Sequence, residues 1–303
     1  MRAFIGFTKR NLRVFFSDRQ TIFFSMLTPI IVLSLYLLFL SDNYTKSVEH
    51  SLQQVAATAR RADIKAFVNG ILLTGILGTE IISIPFHTLT TMVHDRERRI
   101  DNDVLATPMK RGVVVLGYFI AAVAATVIMG SIVAAVGIGV MVGQGLPLPS
   151  LSMFGRLFLT LLLGAFSSTA LFMLLLLLIK TEAAAGAISG IVSAVSGFVI
   201  GAYMPISAFG KGIQTVCNLF PATGITVLFR DILTMPAINR LADALPQARR
   251  TQFVEEMRAA FGYELQWGGH GIGRMGIVIF VSAGILLCLG LLVLIYSGMY
   301  RKK

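Results

Sequence analysis

The chain has 303 residues, of which 55% are hydrophobic and 14% charged, with a formal net charge of +11 and a mean hydropathy of +0.79. Soluble domains carry roughly 25% charged residues, so this composition cannot cover a water-facing surface, which excludes a soluble enzyme or a nucleic-acid-binding domain. The positive balance would suggest nucleic acid in a soluble protein. Here the basic residues sit at the ends of apolar runs, where they set topology and meet anionic headgroups.

Met1 to Arg19 reads as an amphipathic helix in the membrane plane, with Phe4, Ile5, Leu12, Phe15 and Phe16 interleaved with Arg2, Lys9, Arg10, Arg13 and Arg19. The plainer alternative is a basic topology signal. Thr21–Leu40 follows, about 20 residues long. It is longer than the roughly 7–15 apolar residues of a signal peptide and lacks a cleavage pattern, so it reads as a retained first span.

A spanning helix needs about 20 mainly apolar residues. Five further stretches qualify: Asn69–Val93, Val113–Val142, Leu157–Ile179, Ala184–Tyr203 and Met275–Tyr296. With the amino terminus inside, the inner pieces (1–20, 94–112, 180–183, 298–303) hold 14 Lys and Arg in 49 residues. The outer pieces (41–68, 144–155, 204–272) hold 10 in 109. The positive-inside rule therefore places both termini in the cytoplasm, with Tyr203 and Trp267 near the outer interface.

The expected fold is all-α: one membrane domain over 1–303, with six transmembrane helices. Its appendages are an interfacial helix at 1–20, a cytoplasmic loop at 94–112 and an outer segment at 204–272. Within the last, Met204–Leu233 holds two short apolar stretches broken at Pro205 and Pro221, which fit a re-entrant hairpin covered by protein. Ile238–Leu265, with Arg249, Arg250, Glu255, Glu256 and Arg258, reads as an amphipathic outer cap.

Candidate chemistry is sparse. Glu80 sits mid-span with His87 two turns on, on the same face. An acid at the bilayer centre costs about 2.5–3.5 kcal/mol on insertion scales. Glu80 therefore lines a translocation path, or it is a protonated acid bonded to Ser83, Ser131 or Ser168. Gly186, Gly190, Ala194, Gly197 and Gly201 form a small-residue face on the fifth span, suited to intrachain packing or to a second copy. Cys217 and Cys288 lack ligand spacing and read as inert thiols. No P-loop, H-E-x-x-H or G-x-S-x-G occurs, so no catalytic residue, metal site or cofactor is expected.

The cytoplasmic loop is the most informative segment. Its run from His94 to Arg111 is dense in both signs of charge, abuts Val104 and Leu105, and breaks at Thr107-Pro108. It is either a solvated connector or a short helix that a partner grips, its charges setting register.

At this point the sequence resembles the type-two ABC exporter permeases, the membrane subunits of ATP-binding-cassette efflux systems. Asp95-Arg96-Glu97-Arg98 followed by Val104-Leu105-Ala106-Thr107-Pro108 is similar to the family's E-R-E-x-G-T-x-x-x-L-x-x-T-P loop. Gly201, Pro205, Pro221 and Arg230 resemble its G-x-x-x-P…P…R stretch. The resemblance implies that Asp95, Arg96, Glu97, Arg98, Val104, Leu105, Thr107 and Pro108 form a coupling helix on a separate ATPase, which alone binds ATP. It further implies two ATPase copies and a second permease copy or paralogue. Amphiphilic, drug-like or lipid-like cargo would pass between the permeases, beside Glu80, His87, Gly197 and Gly201. Arg99-Ile100 stands where the family usually has glycine, Asp101-Asn102-Asp103 replaces a Thr-rich step, and Ile238–Leu265 is longer than in compact members. A secondary transporter or channel, or an integral membrane enzyme, are the alternatives.

Overall fold

A computed structural model describes residues 2–36, 61–100, 109, 111–143, 148–267 and 270–300. Ten α-helices account for nearly all of them: α1 (Arg2–Ser17), α2 (Arg19–Leu35), α3 (Arg61–Glu97), α4 (Arg111–Gly143), α5 (Leu151–Leu178) and α6 (Glu182–Val199). They are followed by α7 (Lys211–Leu219), α8 (Pro221–Asp243), α9 (Gln247–Phe261) and α10 (Arg274–Tyr300). A two-stranded hairpin, β1 (Leu265–Trp267) with β2 (His270–Ile272), is the sheet present among the described residues. The expected all-α membrane architecture is what forms.

Among the described residues, α3, α4, α5, α6 and α10 are long and apolar enough to cross a membrane. Helices α7 and α8 meet at an 83° bend and pass the same test as one broken span. Helix α2 is apolar over 17 residues, and the expected first-span end at Leu40 lies outside the described residues.

The junctions follow from local chemistry. Asp18 separates α1 from α2: its carboxylate accepts from the amides of Gln20 and Thr21 and from the Thr21 hydroxyl, an N-cap that holds the acid below its ordinary range, the Thr21 bond contributing most. Ser150 and Thr181 cap α5 and α6 in the same way. Gly201 ends α6 in the left-handed region at φ +69, and the chain then turns back so that Ala202 and Tyr203 donate to the Gly197 carbonyl. Pro221 opens α8 at its first position, where a missing N–H costs nothing.

Helix α3 is the axis of the bundle. Its 37 residues rise about 55 Å at 1.5 Å each, well beyond a hydrocarbon core of about 30 Å, and α2, α4, α5, α6 and α8 all pack against it. Between helices in lipid the hydrophobic effect does not drive association, so backbones must come close enough for dispersion to act. Glycine permits this where it is needed. A Cβ on Gly70 would meet Leu233 and Thr234 of α8, and one on Gly78 would strike Thr226 and Ile200. At the far end of α8 the chain leaves that regime. Phe67, Ile238, Leu241, Phe253, Met257 and Tyr263 form a second core beneath α9, where each fully buried side chain contributes about 1.5–3 kcal/mol by the ordinary hydrophobic effect.

Two expectations need correcting. The re-entrant stretch does not end near Leu233, and Ile238 does not begin a separate amphipathic element: α8 runs on to Asp243 through Pro236. Burial of Ala237, Ile238, Leu241 and Ala242 outweighs the hydrogen bond that proline removes. The buried stripe of α1 is Phe7, Asn11 and Phe15, spaced by four; of the expected apolar set, Phe15 is buried, Phe4, Leu12 and Phe16 are half-buried, and Ile5 is 57% exposed. Phe7 meets Tyr118 of α4 edge to face at 5.0 Å, over the gap left by Gly117.

The close approach of α3 to α8 gives a direct test. Gly78→Val places branched carbon against Thr226, whose hydroxyl is committed to the Ala222 carbonyl, and within 2.7 Å of Ile200. Overpacking of this kind costs about 1–3 kcal/mol, so the thermal unfolding midpoint in detergent should fall, with Gly78→Ala falling less.

Candidate functional site

The carboxyl end of α3 carries His94, Asp95, Arg96, Glu97 and Arg98, and the structure engages every one of them with another helix. Asp95 is fully buried. It accepts both guanidinium nitrogens of Arg10 from α1, one at 2.9 Å, and the Tyr118 hydroxyl of α4 at 2.5 Å. A desolvated carboxylate persists only with such partners. The hydrogen bond to Asp95 holds Arg10 above its ordinary pKa, against the opposing effect of burial. Arg10 also donates to the Asn11 side-chain oxygen on the buried stripe of α1, while the Asn11 amide nitrogen has no partner among the described residues.

Arg96 turns the other way and donates to the carbonyls of Leu177 and Ile179 at 3.0 and 3.1 Å. These are among the open acceptors at the end of α5 that its own helix cannot satisfy. Glu97 accepts the backbone N–H of Glu182, in the first turn of α6, beside the Thr181 cap. The Glu182 carboxylate meets His94 Nδ1 and lies 3.9 Å from Arg98 Nε. Five consecutive residues thus tie one helix end to α1, α4, α5 and α6.

Just beyond, Arg99 stands at φ +59, and its amide donates to the Arg96 carbonyl. This is a left-handed helix cap made without glycine. The position is the one where the resembled family usually carries glycine, so the departure noted in the sequence falls on a conformation glycine would suit. Val104, Leu105, Thr107 and Pro108 lie outside the described residues.

The four residues expected along a path do not converge. His87 is 7% exposed, and its Nε2 lies 3.3 Å from the Ser189 hydroxyl of α6. Glu80 is fully buried without the expected hydrogen bond: neither of its oxygens, nor the hydroxyls of Ser83 and Ser168, has a partner among the described residues. Gly197 lies under the Tyr203 ring, so that part of the small face of α6 is used within the chain, whereas a Cβ on Gly186 or Gly190 would meet nothing. Gly201 borders a cavity at the opposite end of the bundle. Cys217 and Cys288 are buried free thiols, and no group of three metal-ligating side chains occurs among the described residues.

Arg10, Tyr118 and Glu182 were not singled out by sequence reasoning. The Glu182 contacts join residues 88 and 85 apart in sequence, a separation no local spacing reveals. The available signal was the brevity of Lys180-Thr181-Glu182, a joint too short to keep its polar groups away from its neighbours.

Residues 47–298 match the family model described as ABC-2 family transporter protein. The chain belongs to the ABC-2 transporter family. Comparison with curated proteins finds no match. The match begins after α1, so Arg10 lies outside it and yet supplies the main partner of Asp95 in this ABC-2 permease.

Two outcomes test the site. Asp95→Ala leaves Arg10 and Tyr118 without their acceptor. Because the Arg10 side chain is 37% exposed, the loss should be about 2–3 kcal/mol, below the 3–5 of a fully buried pair; it should appear as a lower unfolding midpoint and faster amide exchange across α1. Arg99→Gly removes roughly 1–2 kcal/mol of left-handed strain, while glycine's unfolded freedom takes back roughly 0.5–1. The unfolding midpoint should therefore rise for Arg99→Gly and stay unchanged or fall for Arg99→Ala.

Proposed function

We propose that this permease is the membrane half of an ATP-driven exporter for amphiphilic, drug-like or lipid-like cargo, worked by a separate ATPase that docks at the α1 end of the bundle. The observation that carries this reading is the engagement of His94–Arg98 with four other helices. Force applied to the segment leaving α3 reaches α1 and α4 through Asp95, α5 through Arg96, and α6 through Glu97 and Glu182. A solvated connector would have no use for such an arrangement.

In this reading Asp95 and Arg96 seat the coupling segment from within, while the exposed side of Glu97 and Arg98, with Val104, Leu105, Thr107 and Pro108, meets the ATPase. Two permeases and two ATPases make the working unit. A second copy or a paralogue covers the open Gly186 and Gly190 face of α6, and cargo passes between the permeases along α2, α3 and α6. The excess of basic residues on the α1 side supports a cytoplasmic position for that end and for both termini, in a cell membrane.

The test is capture and transport. A P-loop ATPase subunit from the same genome should co-purify with the permease. Combined replacement of Glu97, Arg98 and Leu105 by alanine should lower capture about tenfold, equivalent to roughly 1.4 kcal/mol, while the permease stays monodisperse. Vesicles containing both subunits should move a fluorescent amphiphile only with ATP. Full-rate transport by the permease alone would overturn the reading, as would undiminished capture by the triple variant.

A further inference from the structure

A cavity of about 530 Å³ opens at the end of the bundle opposite the ATPase-docking end, between the end of α6, α7, α8, α9 and β1. Its size is that of a small-molecule site. The polar groups at the α7–α8 break are occupied in building it: Asn218 donates to the Gln266 carbonyl at 2.8 Å, and the Thr223 hydroxyl reaches the carbonyls of Cys217 and Val199. Besides the polar Ser207, Gln214 and Gln266, the lining presents one apolar wall and four charged side chains.

The charges are ordered by depth. Arg230, near the middle of α8, is 8% exposed and reaches up to the Gly262 carbonyl at 2.6 Å. The Arg258 side chain is 28% exposed and that of Glu264, its partner at 3.4 Å, 44%. Glu255 is exposed at the rim. Positive charge therefore lies inside and negative charge at the mouth. The apolar wall is made by Ile200, Pro205, Ile206, Val227 and Phe261. Beyond it α7 exposes Ile213, Val216 and Leu219.

We propose that this cavity binds a zwitterionic amphiphile, with its anionic group against Arg230 and Arg258, its cationic group toward Glu255 and Glu264, and its apolar part along Ile200, Pro205 and Ile206. Guanidinium groups match phosphate or carboxylate geometry, and the two glutamates would repel a second anion at the mouth. A purely anionic headgroup satisfies the arginines but meets that repulsion; a purely cationic one cannot go deep. The inference deepens the exporter reading by naming the headgroup chemistry, and it rests on that reading only for the ligand's role as cargo.

Binding is testable on the permease without any ATPase, so the two proposals can fail separately. The full chain in neutral maltoside micelles is titrated with lysophosphatidylethanolamine and with lysophosphatidylglycerol. Retained lipid is counted by native mass spectrometry, and emission is followed from Trp267, the chain's one tryptophan, adjacent in sequence to the cavity residue Gln266.

One lysophosphatidylethanolamine should be retained per chain, about tenfold more tightly than lysophosphatidylglycerol, a difference of roughly 1.4 kcal/mol. Glu255→Lys, at an exposed position, should abolish that preference, and Arg258→Ala should weaken both lipids. Displacement by free phosphoethanolamine assigns the site to a soluble zwitterion, and resistance to it assigns the site to the intact lipid. Retention indifferent to headgroup would overturn the proposal, and so would a preference that survives Glu255→Lys.

Discussion

A carboxylate taken out of water must be repaid by donors close at hand, and Asp95 is the place where this chain meets that demand. Its oxygens have no exposure and draw on α1 and α4 together. Because the acid sits at the end of α3, around which the other spans are arranged, the pairing fixes the position of α1 relative to the whole bundle. The neighbouring residues extend the principle. Arg96 closes the open carbonyls of α5, and Glu97 receives the first amide of α6. These bonds lie near the ends of helices, where unsatisfied backbone groups make charged side chains most useful.

Two kinds of packing coexist in the molecule. Within the spans, contact depends on glycine and small side chains, since lipid tails compete on equal terms with leucine. Around α9, aromatic and aliphatic side chains gather into a core of the soluble type, supported by the Arg240–Asp63 ion pair at 2.5 Å and the Tyr263–Thr234 hydrogen bond. Burial pushes the Tyr263 phenol well above its ordinary pKa, so it stays a neutral hydrogen-bonding group. Helix α8 belongs to both regimes, which explains how it carries Pro236 without ending.

Much of this was legible in the sequence because it rests on local signals. Apolar run length marked the spans. Pro221 marked a break in the outer segment, whereas the left-handed turn at Gly201 came only with the structure. The charged run after α3 stood out by density alone. What was hidden depends on residues brought together from afar or on a rule overridden by burial. Asn11 joins the buried stripe of α1 with its side-chain oxygen bonded to Arg10, a pairing that no periodicity announces. Glu182 looked like part of a short connector, and the helix through Pro236 was read as two separate pieces meeting between Leu233 and Ile238. Glu80 remained ambiguous between two readings; the structure gives it burial without the expected hydrogen bond.

The link between Arg10 and Asp95 spans 85 positions of chain, and Tyr118 lies further on still. Synthesis proceeds from the amino terminus, so α1 emerges from the ribosome well before the groups that hold it. It cannot take its place until α2 and α3 have been made and α4 begins to follow. Its final seat exists only once the central segments are in place, which makes the docking of the first helix a late step in assembly.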